Sequence, residues 1–564
     1  MATSRFDSGI DRYVIQKYNQ LEHEVDLYLD NSGTFAGSPS NRFYINPAAI
    51  LGLSITDTVT NWAADGTLSF MYLPEKAGVR KLENAGQTKS TIIKGAIDNA
   101  ETLRNYQFRG DGFDLLRVMI APKSRPNGKN VDASNVIKVD KSDTKWVLSY
   151  LFSIYDVQDV NDIPNLKGPA APYLKCLKLS FHDVRYQLLA TSNIEYSTAE
   201  KSQSEDRTIM TSTAMAEIIN KAIADEEKGG CEEFKINENI PTWDNSKSYI
   251  FYTSPAGYSA LDDLNYVYAN NVSQSDVKTT QGLPLNDLAL LHTDRPETYG
   301  QLEPLVLTPL SELFKKAGKE QTSPGELQKE HFFITAHTSQ EADKGTMLFR
   351  APMGGNEKNI DVKTFKYGQI ISYGFVDMSP DFNSNSFRST PVYSVDIGKR
   401  VFNVEFKGND IIATKDAIAE TYIEELYKQG PSKNLFLPTI HKTKKDWNIF
   451  PTFSLNGEDS ENGKVLRQKN AFHTLIYSGL FQNACIAFKT LGSTLRESGT
   501  FIGIDRTQGC EDNSYNNKLC GQWFVVKVDH IFEAGAYMNR IYAIKIHRYK
   551  ELDQDEQFDG CLEE

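Results

Sequence analysis

The chain is poor in cysteine, with six in 564 residues: Cys176, Cys231, Cys485, Cys510, Cys520 and Cys561. None pairs at CxxC spacing and none has a nearby histidine to complete a zinc set, so no metal is expected. Most read as buried thiols, although Cys510 and Cys520 flank the polar loop EDNSYNNKL and could bridge in an oxidising compartment. Basic residues are also short, 61 against 74 acidic ones, and the formal charge of -13 repels phosphate backbones and anionic lipid. Specific nucleic-acid binding is therefore not expected. Long apolar runs are missing: nothing approaches the roughly 20 residues needed to cross a bilayer, and MATSRFDSGIDRYVIQKYNQ lacks the apolar stretch of a signal peptide. Cytoplasmic synthesis without stable membrane insertion is the expectation.

Catalytic signatures are absent too. No HExxH or GxSxG occurs. GDGFDL has Leu115 where a dinucleotide loop needs its third glycine, and GEDSENGK has five residues between its glycines and Val465 in place of Ser or Thr. DNSYNN alternates oxygen ligands like a calcium loop, but Asn517 and Trp523 stand where glycine and glutamate are required. Acidic pairs such as Asp262-Asp263 and Glu424-Glu425 are common on solvated faces. An enzyme, and any cofactor, is not expected.

What the sequence does have is aromatic and β-branched residues, with 27 Tyr and 30 Phe, in short runs broken by turn residues. Val14, Tyr18, Leu21, Val25 and Tyr28 recur at spacings of four and three, which predicts a helix over residues 10–29. From Tyr44 to about Ser204 the texture is β-rich: AILGLSITDTV, GTLSFMYL, WVLSYLFSIYDV and YLKCLKLSFHDVRYQLLA. Polar stretches at Lys76–Asn105 and Lys123–Thr144 read as insertions. A helix is predicted at AMAEIINKAIADEEKGG, followed by mixed short helices and strands. After His331 strands return, interrupted by the helix KDAIAETYIEELYKQGP, with Asp416 as cap and Gly430-Pro431 as stop. The fold class is thus a β-rich α+β multidomain chain. Its expected divisions are a first β domain at 1–205, an α+β module at 206–335, a second β domain at 336–552 with an insertion at about 410–470, and an acidic tail at 553–564.

The heaviest strand pair is the last. In WFVVKVDHIF, Phe524, Val526, Val528, His530 and Phe532 share a face, with Lys527 and Asp529 on the wetter side; Tyr542, Ile544 and Ile546 are in step on the partner strand, and Gly535 lies in the turn. Each buried side chain is worth about 1.5–3 kcal/mol, so the hairpin belongs to a core. His530 reads as a satisfied core histidine, since no second metal-type residue is usefully spaced.

Gly521, Trp523, Val528, His530 and Phe532, followed by Tyr537, Asn539 and Ile541, resemble the closing strands of baseplate central hub proteins of contractile-tailed bacteriophages. LSITDTVTNWAADGTLSF, FRGDGFDLL, NAFHTLIYSGLF and GSTLRESGTFIGID resemble the same family in the same order. The resemblance implies two tail-tube-like antiparallel β-barrel domains per chain and a homotrimer whose ring presents six similar barrels. It implies a non-enzymatic symmetry adaptor in the virion tail baseplate, joining a sixfold tail tube to a threefold spike and passing DNA without specific binding. Its partners would be the spike protein, expected as a separate polypeptide, the tube protein and surrounding wedge proteins. The N-terminal segment and the two long insertions, Lys76–Asn105 and Asp410–Lys469, are expected to face those neighbours, and the negative charge suggests an acidic inner wall. The competing readings are a baseplate-associated peptidoglycan hydrolase and a glycan-binding receptor module built on exposed aromatics.

Overall fold

In a computed structural model of the chain the described residues are 12–17, 20–30, 42–74, 80, 83–84, 90–104, 106–123, 136–139, 146–160, 173–201, 209–223, 243, 249–271, 273–278, 284–287, 289–295, 303–309, 312–313, 330–334, 367–376, 391–396, 401–406, 450–451, 484–506, 521–533 and 535–544. Strands dominate, with few helices. The helix KDAIAETYIEELYKQGP, the segment NAFHTLIYSGLF, Cys510, Cys520 and the tail at 553–564 lie outside the described residues.

One large sheet of thirteen strands, mostly antiparallel, carries the architecture. In chain order its strands are β1 (His23–Asp30), β2 (Arg42–Ile45), β3 (Ile50–Thr58), β4 (Asn61–Tyr72), β5 (Asp114–Pro122), β6 (Leu148–Val160) and β7 (Lys175–Asp183). They continue with β8 (Glu330–Ile334), β9 (Tyr367–Val376), β10 (Cys485–Leu491), β11 (Phe501–Arg506), β12 (Gly521–Glu533) and β13 (Ala536–Ile544). The spatial order is β11-β8-β9-β10-β13-β12-β3-β4-β7-β6-β5-β1-β2. Within this sheet, among the described residues, only β8 pairs in parallel, with β9 and β11. β11 also pairs with β12, so the pairings among β11, β8, β9, β10, β13 and β12 return to the strand from which they start.

The apolar periods explain the layers. β7 alternates, with Leu177, Leu179 and Phe181 buried beside Leu68 and Phe70 of β4. β5, DLLRVMIAP, is buried at every position. Its continuous apolar run suits a strand covered on both faces: Leu116, Val118 and Ile120 join the sheet core while Leu115 meets a second cluster containing the helices. Those helices are α2 (Val184–Thr191), α3 (Thr211–Ile223) and α4 (Ala260–Ala269), with Met215, Ile218, Ile219, Leu264 and Val267 buried between them. Ser259 and Asp262 form a capping box at the start of α4. The ribbon Ala289–Thr293/Leu305–Pro309 closes this cluster with Leu291 and Leu307.

Several expectations need correction. Residues 10–29 hold strands, Arg12–Lys17, Gln20–Leu21 and β1, and no helix is found among those described. In a strand a spacing of three puts residues on opposite faces, and β1 is buried on both: Val25, Leu27 and Leu29 join the sheet core while Tyr28 meets the cluster with the helices. Pairing from His23↔Pro122 to Asp30↔Leu115 and burial of Val25, Leu27 and Leu29 decide for strand. The β-rich reading of YLKCLKLSFHDVRYQLLA ends too late: the Asp183 carboxylate accepts from the Arg185 amide and caps α2. Within the insertion Lys76–Asn105 lies α1 (Thr91–Leu103), whose Ile93 and Ala96 are buried and whose Asn99 accepts from the Asn46 amide at 2.7 Å and donates to the Met71 carbonyl at 3.0 Å. That face is held by the large sheet.

Candidate functional site

The C-terminal hairpin is where the large sheet changes partners. β12 pairs with β13 along its length, from Phe524↔Ile544 to Glu533↔Ala536. Its other edge is divided: Gly521 to Phe524 pair with β11, and Lys527 to Glu533 pair with β3. A bulge between Val525 and Lys527 marks the change. The Val526 carbonyl at that point accepts from the Val59 amide at 3.0 Å and the Thr58 hydroxyl at 3.1 Å. An extra residue bends and twists a strand, which is what one strand serving two neighbours requires.

The bulge also changes which side chains face inward. Trp523 and Val525 lie with Val528 and Ile541 in a cluster containing Phe332 and Phe488, while Phe532 and Tyr537 lie with Leu53, Ile55 and Phe70 in the core of the first sheet. One uniform alternation, with Val526 inward, is therefore corrected: Val526 is half-buried. On β13 the buried set is Tyr537, Asn539, Ile541, Ala543 and Ile544; Val528↔Ile541, His530↔Asn539 and Phe532↔Tyr537 are paired, so of the expected Tyr542, Ile544 and Ile546 only Ile544 is found buried, Tyr542 being half-buried and Ile546 outside the described residues. Asp529, expected on the wetter side, is buried with its carboxylate accepting from Thr56 at 3.0 Å and paired with Lys527 at 3.0 Å.

His530 sits in a buried polar network. Asn539 Oδ1 accepts from the Ser493 amide and from Arg496 Nη1, each at 2.7 Å, so its Nδ2 is the end that reaches His530 Nδ1 at 3.1 Å. The Tyr537 hydroxyl lies 2.7 Å from the same Nδ1. Nδ1 is thus the acceptor and Nε2 carries the proton of a neutral ring; that proton meets no partner among the described residues, so the expected satisfied core histidine is satisfied at Nδ1 alone. Burial, reinforced by Arg295, Arg496 and His23, pushes the imidazole down to about 3. Tyr537 also closes over Gly492, where an added Cβ would stand 2.2 Å from its ring.

A second constellation lies beside this network. Arg295, just past the strand Ala289–Thr293, donates through Nε to Glu497 at 2.6 Å and through Nη2 to the Thr494 carbonyl at 2.6 Å. Ser498 donates its amide and hydroxyl to Asp57 at 2.9 and 3.1 Å. A cavity of about 70 Å³ lies among Asp57, Tyr150, His292, Arg295, Glu303 and Glu497. Burial raises Asp57 and Glu497 and pushes Glu303 up to about 8, against the pull of Arg295 in each case. No sequence motif marked these residues, which come from positions as far apart as 57 and 497. Of the segments quoted for their resemblance, LSITDTVTNWAADGTLSF includes Asp57 and GSTLRESGTFIGID includes Thr494, Glu497 and Ser498.

No group of three or more metal-type side chains suited to an ion is found among the described residues. No described helix is long and apolar enough to cross a membrane. Asp262 serves the α4 cap, and Asp263 accepts from Tyr252 at 2.6 Å and Ser254 at 2.8 Å. Both carboxylates hold local structure.

No protein-family model matches the chain, and no curated protein matches it. Among solved structures it is similar to a tail protein from Neisseria meningitidis MC58, at 8% identity and a TM-score of 0.41, covering 93% of this chain and 97% of that one. A 43 kDa tail protein of prophage MuSo2 from Shewanella oneidensis is similar at 9% identity and a TM-score of 0.36, covering 93% and 97%. The Francisella PdpA-VgrG complex is similar at 8% identity and a TM-score of 0.39, covering 96% of this chain and 60% of that one.

Proposed function

We propose that the chain is a structural subunit of a contractile-tail baseplate, its central hub, working as a homotrimer between tail tube and spike. The observation that carries this reading is the division of β12, whose two halves pair with β11 and β3. One strand thereby joins two β regions by backbone hydrogen bonds, and both cores lean on one hairpin. Such a joint suits a part that transmits load between neighbours and must not hinge.

The region of β11, β8, β9, β10, β13 and β12, whose pairings form a circuit, is read as one barrel domain, the expected 336–552 extended at its start to take in β8 at Glu330–Ile334. The strands from β1 to β7 are read as its counterpart within 1–205, with the module 206–335 between them. Three chains would then present six comparable units to a sixfold tube while keeping a threefold face for a spike. The buried His530, Tyr537 and Asn539 act in this reading as internal fasteners. DNA would pass through the ring without specific contacts, consistent with the acidic balance of the sequence.

Light scattering on the purified full chain, alone and with the spike protein of the same tail, tests the proposal. The expected mass is that of three chains, with the spike added in the mixture. A monomer under both conditions overturns it.

A further inference from the structure

We propose that the Arg295 cluster is a proton-dependent clasp, holding Thr494–Ser498 between the end of β3 and the ribbon Ala289–Thr293/Leu305–Pro309 while Glu303 is protonated and loosening when Glu303 ionises. The inference stands on the cluster's geometry and is independent of the assembly in which the chain works.

The segment Thr494–Ser498 is gripped from three sides. Arg295 holds the Thr494 carbonyl and the Glu497 carboxylate, and Asp57 holds the Ser498 amide and hydroxyl. The Thr494 hydroxyl donates to the Trp146 carbonyl at 3.0 Å. Immediately beyond, the Gly499 amide donates to the Val525 carbonyl and the Val525 amide to the Thr500 carbonyl, each at 2.8 Å. Release of the segment would therefore reach the bulge where β12 changes partners.

The charges do not balance. Asp57, Glu303 and Glu497 face the one guanidinium of Arg295, and Asp294 adds a further negative charge towards Glu497. Arg185 lies on the far side of Glu303, donating to its backbone carbonyl at 2.7 Å, but its own charge is engaged with Asp183 at 2.6 Å. His292 has its ring nitrogens against the Thr293 carbonyl at 2.9 Å and the Thr308 hydroxyl at 3.1 Å, and Tyr150 contributes a neutral phenol whose own ionisation is strongly opposed by burial. The three carboxylates share the cavity of about 70 Å³ with that guanidinium and are half-buried, Glu497 keeping 29% of its side chain exposed. A proton on one of them removes the excess most simply.

Glu303 is the carboxyl that keeps it, since burial together with Asp57 and Glu497 outweighs Arg295 and holds the group at about 8. An opened clasp returns Glu303 to its ordinary value near 4.5. Because the closed form binds the proton more tightly, the closed state is fully favoured below the ordinary value, and its advantage is lost as pH rises through about 8. For one such group the opening equilibrium rises about tenfold per pH unit within that window.

Hydrogen exchange of the full chain between pH 6 and 9, corrected for the intrinsic chemical rate, tests the clasp on peptides spanning Thr494–Thr500. Protection is expected to fall by about tenfold per pH unit up to pH 8 and then level off. Glu303→Gln, which cannot ionise, should be flat over the same range, while Glu22→Gln on the surface should behave like wild type. Flat protection in wild type, or an unchanged slope in Glu303→Gln, overturns the proposal. Should Glu303→Gln fail to fold, infrared difference spectra of the wild-type chain decide: a protonated carboxyl band lost between pH 6 and 9 is expected, and its absence overturns the clasp.

Discussion

Asn539 is fully buried and has every polar atom engaged: its Oδ1 takes two donors from the Ser493–Arg496 loop and its Nδ2 serves His530. Asn539→Ala would strand the buried Ser493 amide and leave Arg496 Nη1 with the Leu491 carbonyl alone. An orphaned buried donor costs about 1–3 kcal/mol, so a loss of about 1–3 kcal/mol in urea unfolding is expected. Tyr537→Phe removes a single donor and should cost about 1 kcal/mol. His530 makes the same network sensitive to acid. Its pKa falls from the ordinary 6.5 to about 3 in the fold, so its contribution is complete above 6.5 and is lost as pH falls towards 3. Over that interval wild type should lose up to about 1.4 kcal/mol per pH unit relative to His530→Gln. The difference between the two proteins is the informative quantity, because the raised Asp57, Glu303 and Glu497 favour the fold at low pH. Equal slopes in the two would show that His530 does not titrate as the buried network demands.

Among the elements, the strand pair β12–β13 was legible in the sequence because its signals are local: alternating β-branched and aromatic residues on either side of Gly535, which adopts φ 78°. α3 was legible through its helical spacing of apolar residues, whereas α4 fell in a stretch read only as mixed short helices and strands. β1 was not, since Val25 and Tyr28 fit a helical spacing and only their pairing with β5 selects the strand. The Arg295 cluster was hidden as a cluster: two of its carboxylates lay in quoted segments, but no periodicity connects Asp57, Arg295, Glu303 and Glu497 until the chain has folded. Close approach between strands is equally invisible in sequence. An added Cβ at Gly66 of β4 would lie 2.2 Å from the Ser54 carbonyl and 2.7 Å from the Phe181 ring, whereas one at Gly52 of β3 meets nothing within 4 Å. Gly66→Ala is expected to cost about 1–3 kcal/mol through overpacking, and Gly52→Ala to stay within about 0.5 kcal/mol. Thermal midpoints of the two variants separate a steric requirement from a general dislike of losing glycine in a strand.

At the scale of the whole molecule, both halves of the large sheet share one strand, which makes a statement about cooperativity. If β12 were paired with only one neighbour, the strands around β3 and those around β10 could open independently. With Gly521–Phe524 on β11 and Lys527–Glu533 on β3, opening either half exposes an edge of the same strand and buried side chains of the other core, Trp523 on one side and Phe532 on the other. Hydrogen exchange in increasing urea should therefore show peptides from Ile50–Thr58 and Cys485–Leu491 losing protection at one common denaturant concentration. Asn539→Ala, which acts from β13, should lower both midpoints by the same amount. Loss of protection over Cys485–Leu491 with Ile50–Thr58 still protected would mean that the hairpin merely abuts the first sheet, and the rigid coupling required of a load-bearing hub would be absent.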